Sequence, residues 1–399
     1  MKNKSMELKN YWIVDCDRTL FGDVKIVDGK IANIIERKAQ GTMGEGVLMP
    51  SFIDLHAHFR EPGYTHKEDI KSGSEAAAKG GYTHVTLMAN TNPVCDNMTV
   101  LNAINERNKE VGIIDINQCV SGTTGLLGDD YSHLEGLEDG KVKCISDDGK
   151  GVMSHSVMRD ILDICTKKGW TFMSHAEDSS ADNMRDAENN MTERDVQIAE
   201  EIDGRIHMCH VSTREAIDII RRGKKNGVKV TCEVTPHHIM NPDGISDYRV
   251  NPPIRENEDI LEIIKGINDG TVDAIATDHA PHTLEDKKNG APGISGIELS
   301  FPICYSELVK SRKITINKLS ELMSYNPAKI LNLKKGKIKE GYDGDMVIVN
   351  LKETQLVKEE NLLSRGKNTP LIGREFYGVV EATIKNGEFI YRRESNDNR

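Results

Sequence analysis

The sequence predicts an α/β chain folded as a (β/α)8 barrel, with a small β-rich domain built from both termini. Three observations carry that prediction. Between 49 and 335, short apolar runs alternate with helix-length amphipathic stretches, the pattern of a parallel sheet. Eight such runs can be counted, the number that closes a barrel. Both chain ends break this rhythm and read as strands joined by tight turns. An open doubly wound sheet is the competing arrangement, but no Gly-rich dinucleotide turn accompanies it.

The N-terminal part, 1–48, offers Tyr11-Trp-Ile-Val14, Val24-Lys-Ile-Val27 and Ile31-Ala-Asn-Ile-Ile35, with Asp28-Gly29 as a hairpin turn. The C-terminal part, 336–399, offers Asp345-Met-Val-Ile-Val-Asn350 and Gly378-Val-Val-Glu-Ala-Thr-Ile384, then an Asn386-Gly387 turn before Phe389-Ile-Tyr391. Together they are expected to form one composite domain around a catalytic barrel at 49–335. The barrel strands are expected at Gly46–Leu55, His84–Asn90, Asp115–Ser121, Lys141–Ser146, Thr171–His175, Ile206–His210, Lys229–Val234 and Ala274–Thr277. Helices are expected at Asp69–Lys79, Val157–Lys168, Thr213–Arg222 and Ile260–Ile267. The polar tail Arg392–Arg399 is expected to fray.

Composition narrows the function classes. The 399 residues carry 37% hydrophobic side chains and 34 glycines, enough for a sizeable core. Lys and Arg number 52 against 63 Asp and Glu, a net charge of −11 with no basic block, which argues against nucleic-acid or anionic-membrane partners. No apolar run approaches the roughly 18 residues of a membrane span. The polar start lacks the apolar core of a signal peptide. The eight cysteines are scattered without a CxxC pair, which points to reduced, buried thiols and a cytoplasmic setting.

Chemistry in such a barrel lies at the C-terminal strand ends. The first strand ends in Asp54-Leu-His56-Ala-His58, and residues two apart face one side, so both imidazoles can share a metal. Later strands end in Asp147-Asp148-Gly149, His175-Ala-Glu177, His210-Val-Ser-Thr213 and Asp278-His279-Ala-Pro-His282. A lone HxH is more often a core or surface pair. Four histidines and two aspartates on five strand ends form a ligand set typical of catalytic metals. His66, His133 and His155 read as surface residues, and His84 sits at the wrong strand end. His207 falls out of phase with His210, which makes it core or surface. His237 and His238 either orient ligands or have no role in the site.

Two metals held by imidazoles need an anionic bridge, which Asp148 can supply together with hydroxide. Asp278 beside it can take a proton and hand it to a leaving nitrogen. That is hydrolysis of an amide-like bond, and no GxSxG elbow offers a serine nucleophile instead. Arg60, two residues past the HxH, suits a substrate carboxylate, with a loop salt bridge as the alternative. Asn90 and Asn251 follow strands and either read a ring's N–H and C=O groups or form turns.

Taken together, the motifs resemble the dihydroorotases of bacterial class I type, within the amidohydrolase superfamily. The matching words are Asp54-Leu-His-Ala-His-Phe-Arg-Glu-Pro-Gly63, Met88-Ala-Asn-Thr-Asn-Pro93, Ser146-Asp-Asp-Gly149, His175-Ala-Glu-Asp178, His210-Val-Ser-Thr213, Asn251-Pro-Pro253, Ala276-Thr-Asp-His-Ala-Pro-His282 and Asn326-Pro-Ala328. The resemblance implies a TIM barrel of the metal-dependent amidohydrolase type. It implies reversible cyclisation of N-carbamoyl-L-aspartate to dihydroorotate in pyrimidine biosynthesis, with a metal-bound hydroxide attacking the ring amide in the hydrolytic direction. One or two Zn²⁺ are implied per subunit: His56, His58 and Asp278 on the first, Asp148 bridging, His175 and His210 on the second. Asp278 would be the acid/base. His58, Arg60, Asn90 and His282 would line the substrate, the last three on its carboxylate, with Asn251 on the ring and Pro292 and Gly293 adding backbone contacts.

The sequence departs from the family pattern in three places. The segment between His175 and His210 is short, the aromatic often found between Pro292 and Gly293 is missing, and Ala89 stands where Pro is common. Many relatives in the superfamily use a carboxylated lysine as the bridge, but Lys143 lies too early in its strand, and the Asp147-Asp148-Gly149 word favours Asp148. A homodimer is expected from the resemblance, with association with another pyrimidine-pathway enzyme left open. A loop over 282–293 is expected to close on substrate. The alternatives are a hydantoinase- or allantoinase-like cyclic amidohydrolase, whose substrates lack the carboxylate Arg60 would bind, and a non-catalytic dihydroorotase-like partner protein.

Overall fold

The computed structural model describes residues 4–394. The N-terminal strands are β1 (Ser5–Val14), β2 (Thr19–Val27), β3 (Lys30–Glu36) and β4 (Val47–Pro50). The barrel strands are β5 (Phe52–Ala57), β6 (Tyr82–Leu87), β7 (Asp115–Gln118), β8 (Cys144–Ile145), β9 (Thr171–Ser174), β10 (Arg205–Met208), β11 (Lys229–Val234) and β12 (Ala274–Ile275). The C-terminal strands are β13 (Met346–Leu356), β14 (Glu375–Lys385) and β15 (Glu388–Arg392). Of the tail expected to fray, Arg392 ends β15, and 395–399 lie outside the described residues.

The two chain ends interleave in one seven-stranded sheet, in the order β15-β14-β13-β4-β1-β2-β3. The parallel strands run β5-β6-β7 and β8 to β12 in chain order. Parallel bridges Val120–Ile145 and Ala57–His279 join the two runs and close the eight-stranded barrel. The single strand expected over Gly46–Leu55 is in fact two. Val47–Pro50 pairs with β1 and β13 in the terminal sheet, and after Ser51 the chain enters the barrel as β5. Pro50 is the last paired residue of β4, opposite Met346, and the Ser51 N–H still donates to the Asp345 carbonyl (3.2 Å) before the chain passes into the barrel.

The expected helices are present as α1 (Ile70–Lys79), α3 (His155–Lys168), α5 (Arg214–Lys225) and α6 (Asn257–Asp269). Two more, α2 (Met98–Val111) and α4 (Met184–Glu201), fill the helix-length stretches that the alternation leaves after β6 and β9. Both are largely polar, and α4 buries Glu188, Thr192 and Asp195 beside Met191 and Ile198. Side-chain caps start most of them: Asp69 with Ser72 in a capping box on α1, Ser154 on α3 and Thr213 on α5. Gly112, Gly169 and Gly270 end α2, α3 and α6 in the left-handed conformation that other residues resist.

Inside the barrel Ile53, Leu55, Met88, Cys119, Cys144, Met173, Cys209, Ala274 and Ala276 pack together, with Ala328 and Leu331 in the same cluster. β11 adds no apolar residue to this cluster, because Val230, Cys232 and Val234 belong to the outer layer against the helices. Its alternate positions are Thr231 and Glu233. All eight cysteines are free, and all but Cys16 are buried. Among the described residues no helix is long and apolar enough to cross a membrane.

At the other end of the barrel Lys335 is buried and donates to Asp115 (2.6 Å) and Asp345 (2.7 Å), tying the barrel to the terminal sheet. His84 lies buried near this cluster, with neither ring nitrogen hydrogen-bonded. Burial, reinforced by Lys335, pushes its pKa down to about 3. Unfolded histidine protonates near pH 6.5, so the unfolded chain gains a proton that the folded one refuses. The contribution of His84 is therefore complete above pH 6.5 and lost progressively as pH falls toward 3, at about 1.4 kcal/mol per pH unit. Urea unfolding across that range should show a steeper loss for the parent than for His84→Asn. Equal slopes would contradict this.

Candidate metal-binding active site

The register of β5 against β6 breaks between Asp54 and Ala57. Ile53 and Leu55 pack inside the barrel, and past the break His56 and His58 both turn to the mouth. Asp54 accepts from the Thr277 N–H (2.9 Å) and hydroxyl, which fixes the approach to Asp278. Arg60, His210 and Asp278 adopt φ of 60°, 36° and 44°. Left-handed backbone at non-glycine residues costs about 1–3 kcal/mol each, and here it bends three strand ends over the mouth.

The six sequence-predicted ligands converge there. Asp148 Oδ1 lies 3.2 Å from both His56 Nε2 and His175 Nδ1 and 3.7 Å from His210 Nε2, and its Oδ2 lies 3.6 Å from His58 Nε2. Asp278 Oδ1 is 3.1 Å from His58 Nε2 and 3.6 Å from His56 Nε2. His175 Nδ1 and His210 Nε2 are 2.9 Å apart. Each of the six is at most 6% exposed, so little water remains to screen these charges.

The electrostatics fit a cation at the centre. Burial opposes charge on Asp148, yet His56, His175 and His210 outweigh it and hold the carboxyl well below the usual range. Asp278 is likewise held low against burial by His58, His56 and His210. Burial also works against a charged His175, but Asp148 and Glu177 raise it to about 9. Neither His56 ring nitrogen is hydrogen-bonded; Nε2 faces the centre, where two of the triads around it, His56–His58–Asp278 and His56–Asp148–His210, bring ligand atoms within 4.8 Å of one another. A divalent ion would meet that orphaned nitrogen and the facing carboxylates with the donor set it prefers.

Polar side chains stand behind the nitrogens that face away from the centre. His58 Nδ1 meets Asn90 Oδ1 (3.0 Å), His175 Nε2 meets Glu177 (2.8 Å), and His56 Nδ1 faces Glu233 (3.3 Å). Asn90 also donates to Asp148 Oδ2 (3.0 Å), and Asn251 donates to Glu177 (2.7 Å). At the rim the Arg60 guanidinium lies 3.3 Å from His282 Nε2. Burial and Arg60 together push the His282 pKa down to about 3, so its neutral ring accepts from Arg60.

Other expected residues fall differently. Gly293 lies against His282, but its N–H donates to the Arg249 carbonyl (3.1 Å) and its carbonyl accepts from Lys287 (2.9 Å) and Asn368 (3.0 Å). Its backbone groups are thus already engaged, and Pro292 is exposed. The 282–293 loop holds a short helix, α7 (Leu284–Lys288), and Lys287 stitches it to the carbonyls of Arg249, Ala291 and Gly293. His238 bonds Thr235 and the Pro252 carbonyl (3.1 Å), supporting the Asn251 loop instead of a ligand. His237 is buried with its Nε2 unpartnered. Asp147 caps the Gly122–Thr123 turn, and Lys143 is exposed.

Sequence reasoning missed Glu177, Glu233 and Asn368. Glu177 lies two residues past His175, on the same strand end, and that spacing was its signal. A carboxylate inside the apolar run Lys229–Val234 was the available signal for Glu233. Asn368 lies beyond the barrel, yet it accepts from the His282 N–H (2.7 Å) and donates to the Ala280 and Gly293 carbonyls. Nothing in its local sequence announced this.

A closed parallel barrel whose strand ends gather four imidazoles and two carboxylates on one buried centre defines a metal-dependent hydrolase. Residues 47–390 match the amidohydrolase family. The chain is 48% identical to the dihydroorotase of Clostridium botulinum (strain Eklund 17B / Type B), over 97% of this chain and 99% of that one. It is 38% identical to the dihydroorotase of Thermoanaerobacter sp. (strain X514), over 94% and 92%. The chain belongs to the amidohydrolase family and, within it, to the dihydroorotases. Among solved structures it resembles the L-hydantoinase (dihydropyrimidinase) of Arthrobacter aurescens, with a TM-score of 0.86 at 22% identity, covering 98% of this chain and 96% of that one. It also resembles the dihydropyrimidinase of Brevibacillus agri NCHU1002, with a TM-score of 0.85 at 21% identity, covering 98% and 95%. At that identity the likeness concerns the fold.

Proposed function

We propose that this protein is a zinc-dependent dihydroorotase, interconverting N-carbamoyl-L-aspartate and dihydroorotate. One observation carries the reading: a buried two-carboxylate, four-imidazole centre with the Arg60–His282 pair at its rim. His56, His58 and Asp278 would hold one zinc, His175 and His210 the other, with Asp148 between them. Bound zinc supplies a nucleophile at neutral pH and polarises the reacting carbonyl. Asp278, held ionised, takes a proton and returns it to the ring nitrogen as the amide opens. Arg60 offers its fork to the substrate carboxylate, Asn90 adds an amide donor beside it, and the neutral His282, accepting from Arg60, holds the fork against the same carboxylate. His58 lines the same wall. Asn251, its amide nitrogen committed to Glu177, turns its carbonyl toward a ring N–H. Pro292 and Gly293 shape the loop edge above them. The working state is a cytoplasmic homodimer, with room for association with another pyrimidine-pathway enzyme.

The competing reading is a hydantoinase-like cyclic amidohydrolase, which would use the same centre. The two separate on the carboxylate, which hydantoin rings lack. Purified protein should turn over dihydroorotate, lose that activity on chelation and regain it with zinc. Hydantoin turnover should stay far below it. A folded, zinc-loaded sample inactive on dihydroorotate but active on hydantoin would reverse the assignment.

A further inference from the structure

The barrel interior holds a carboxylate that this chemistry does not use. Glu233 is fully buried on β11, at a level where other strands contribute Cys209, Ala274 and Ala276. A charge there is costly unless it is paired and hydrogen-bonded. Its Oε1 lies 3.3 Å from His56 Nδ1, and its Oε2 lies 3.1 Å from His207 Nε2. His207 Nδ1 is in turn 2.8 Å from Thr231 Oγ1. Thr231 and His207 occupy paired positions on adjacent strands, so the side chains form a line beneath the metal centre: Thr231, His207, Glu233, His56. The other two imidazoles with a known outward partner, His58 and His175, rest on groups near the mouth. Only the His56 prop reaches down into the barrel core.

Resting on the reading of His56 as a metal ligand, we infer that Glu233 is the residue that positions His56 for the metal, and that His207 holds Glu233 in place. A carboxylate can only accept, so His56 must carry its hydrogen on Nδ1 and leave the Nε2 lone pair for the ion. Glu233 also adds electron density to the ring, which raises its basicity as a ligand. His207 donates to the second oxygen from Nε2, and the Thr231 hydroxyl donates to its Nδ1. Every atom in the line then has a role, and one carboxylate serves two imidazoles. An amide cannot replace it. Glutamine at 233 would accept from one ring and direct its NH₂ against the donor of the other.

The test uses the full chain loaded with zinc. Glu233→Gln should weaken zinc retention against a chelator by about 10–100-fold at one of the two positions and leave the other unchanged. The visible absorption of the cobalt-substituted protein should shift. His207→Gln keeps a donor to Glu233 and should hold zinc nearly as the parent does, whereas His207→Phe should follow Glu233→Gln in part. Parent-like zinc retention and cobalt absorption in Glu233→Gln would overturn the inference. If that variant does not fold, imidazole ¹⁵N spectra of the zinc-loaded parent decide instead. Metal on His56 Nε2 with a hydrogen-bonded proton on Nδ1 is expected, and metal on Nδ1 would overturn it. A folded parent that takes up no zinc would refute the metal reading itself, which is a different outcome from either.

Discussion

Asp278→Asn should lower kcat for dihydroorotate by about 10³-fold or more while the protein stays folded. General acid–base groups contribute about 10²–10⁴-fold, and this carboxylate also faces two imidazoles of the metal centre. Asparagine preserves the size of the side chain and its contact with His58, but it neither takes nor returns a proton. Zinc content of the purified variant separates the two contributions. If both metals remain, the loss is that of proton transfer. If one metal is lost, the ligand role dominates. Activity within tenfold of the parent with full metal content would remove Asp278 from the mechanism.

The second large effect is on binding. Arg60→Gln should reduce kcat/KM for dihydroorotate by about 10²–10⁴-fold, because each hydrogen bond to a charged group is worth about 1.5–3 kcal/mol and a guanidinium fork makes two. The loss should appear mainly in KM, since the carboxylate stays charged throughout the reaction. Arg60→Lys should recover little of it, since a point charge does not reproduce the planar fork. The informative comparison is a substrate without the carboxylate, such as dihydrouracil. Its turnover, low in the parent, should be nearly unchanged in Arg60→Gln. Equal losses on both substrates would mean that Arg60 supports the loop through the Pro281 carbonyl and His282 instead of reading the substrate.

Neighbouring residues show where local pattern was enough and where it was not. His56 and His58 could be paired from their two-residue spacing, and Asp148, His175, His210 and Asp278 from their places just past apolar runs. Strand direction and strand end are local properties, and a barrel turns them into a common destination. Local pattern failed where a neighbour distant in sequence sets the environment. The run Gly46–Leu55 reads as one apolar strand, but pairing with β13, some 300 residues away, claims its first half. The polar α4 has its buried face defined by packing against α5 and α3, which the spacing of its few apolar residues only faintly marks.

The barrel, the two-ended β sheet and the six residues that converge at the mouth were legible along the chain, because strand period and strand-end chemistry are local, with Asp148 chosen over Asp147 on the family resemblance. Tertiary structure alone decided which groups stand behind those six. Glu233 reaches His56 from another strand, Glu177 joins His175 to Asn251, and Asn368 returns from beyond the barrel to occupy the backbone groups beside His282 and Gly293. A hydrogen bond is fixed to within tenths of an ångström by the packing of whole elements, and no spacing along the chain encodes it.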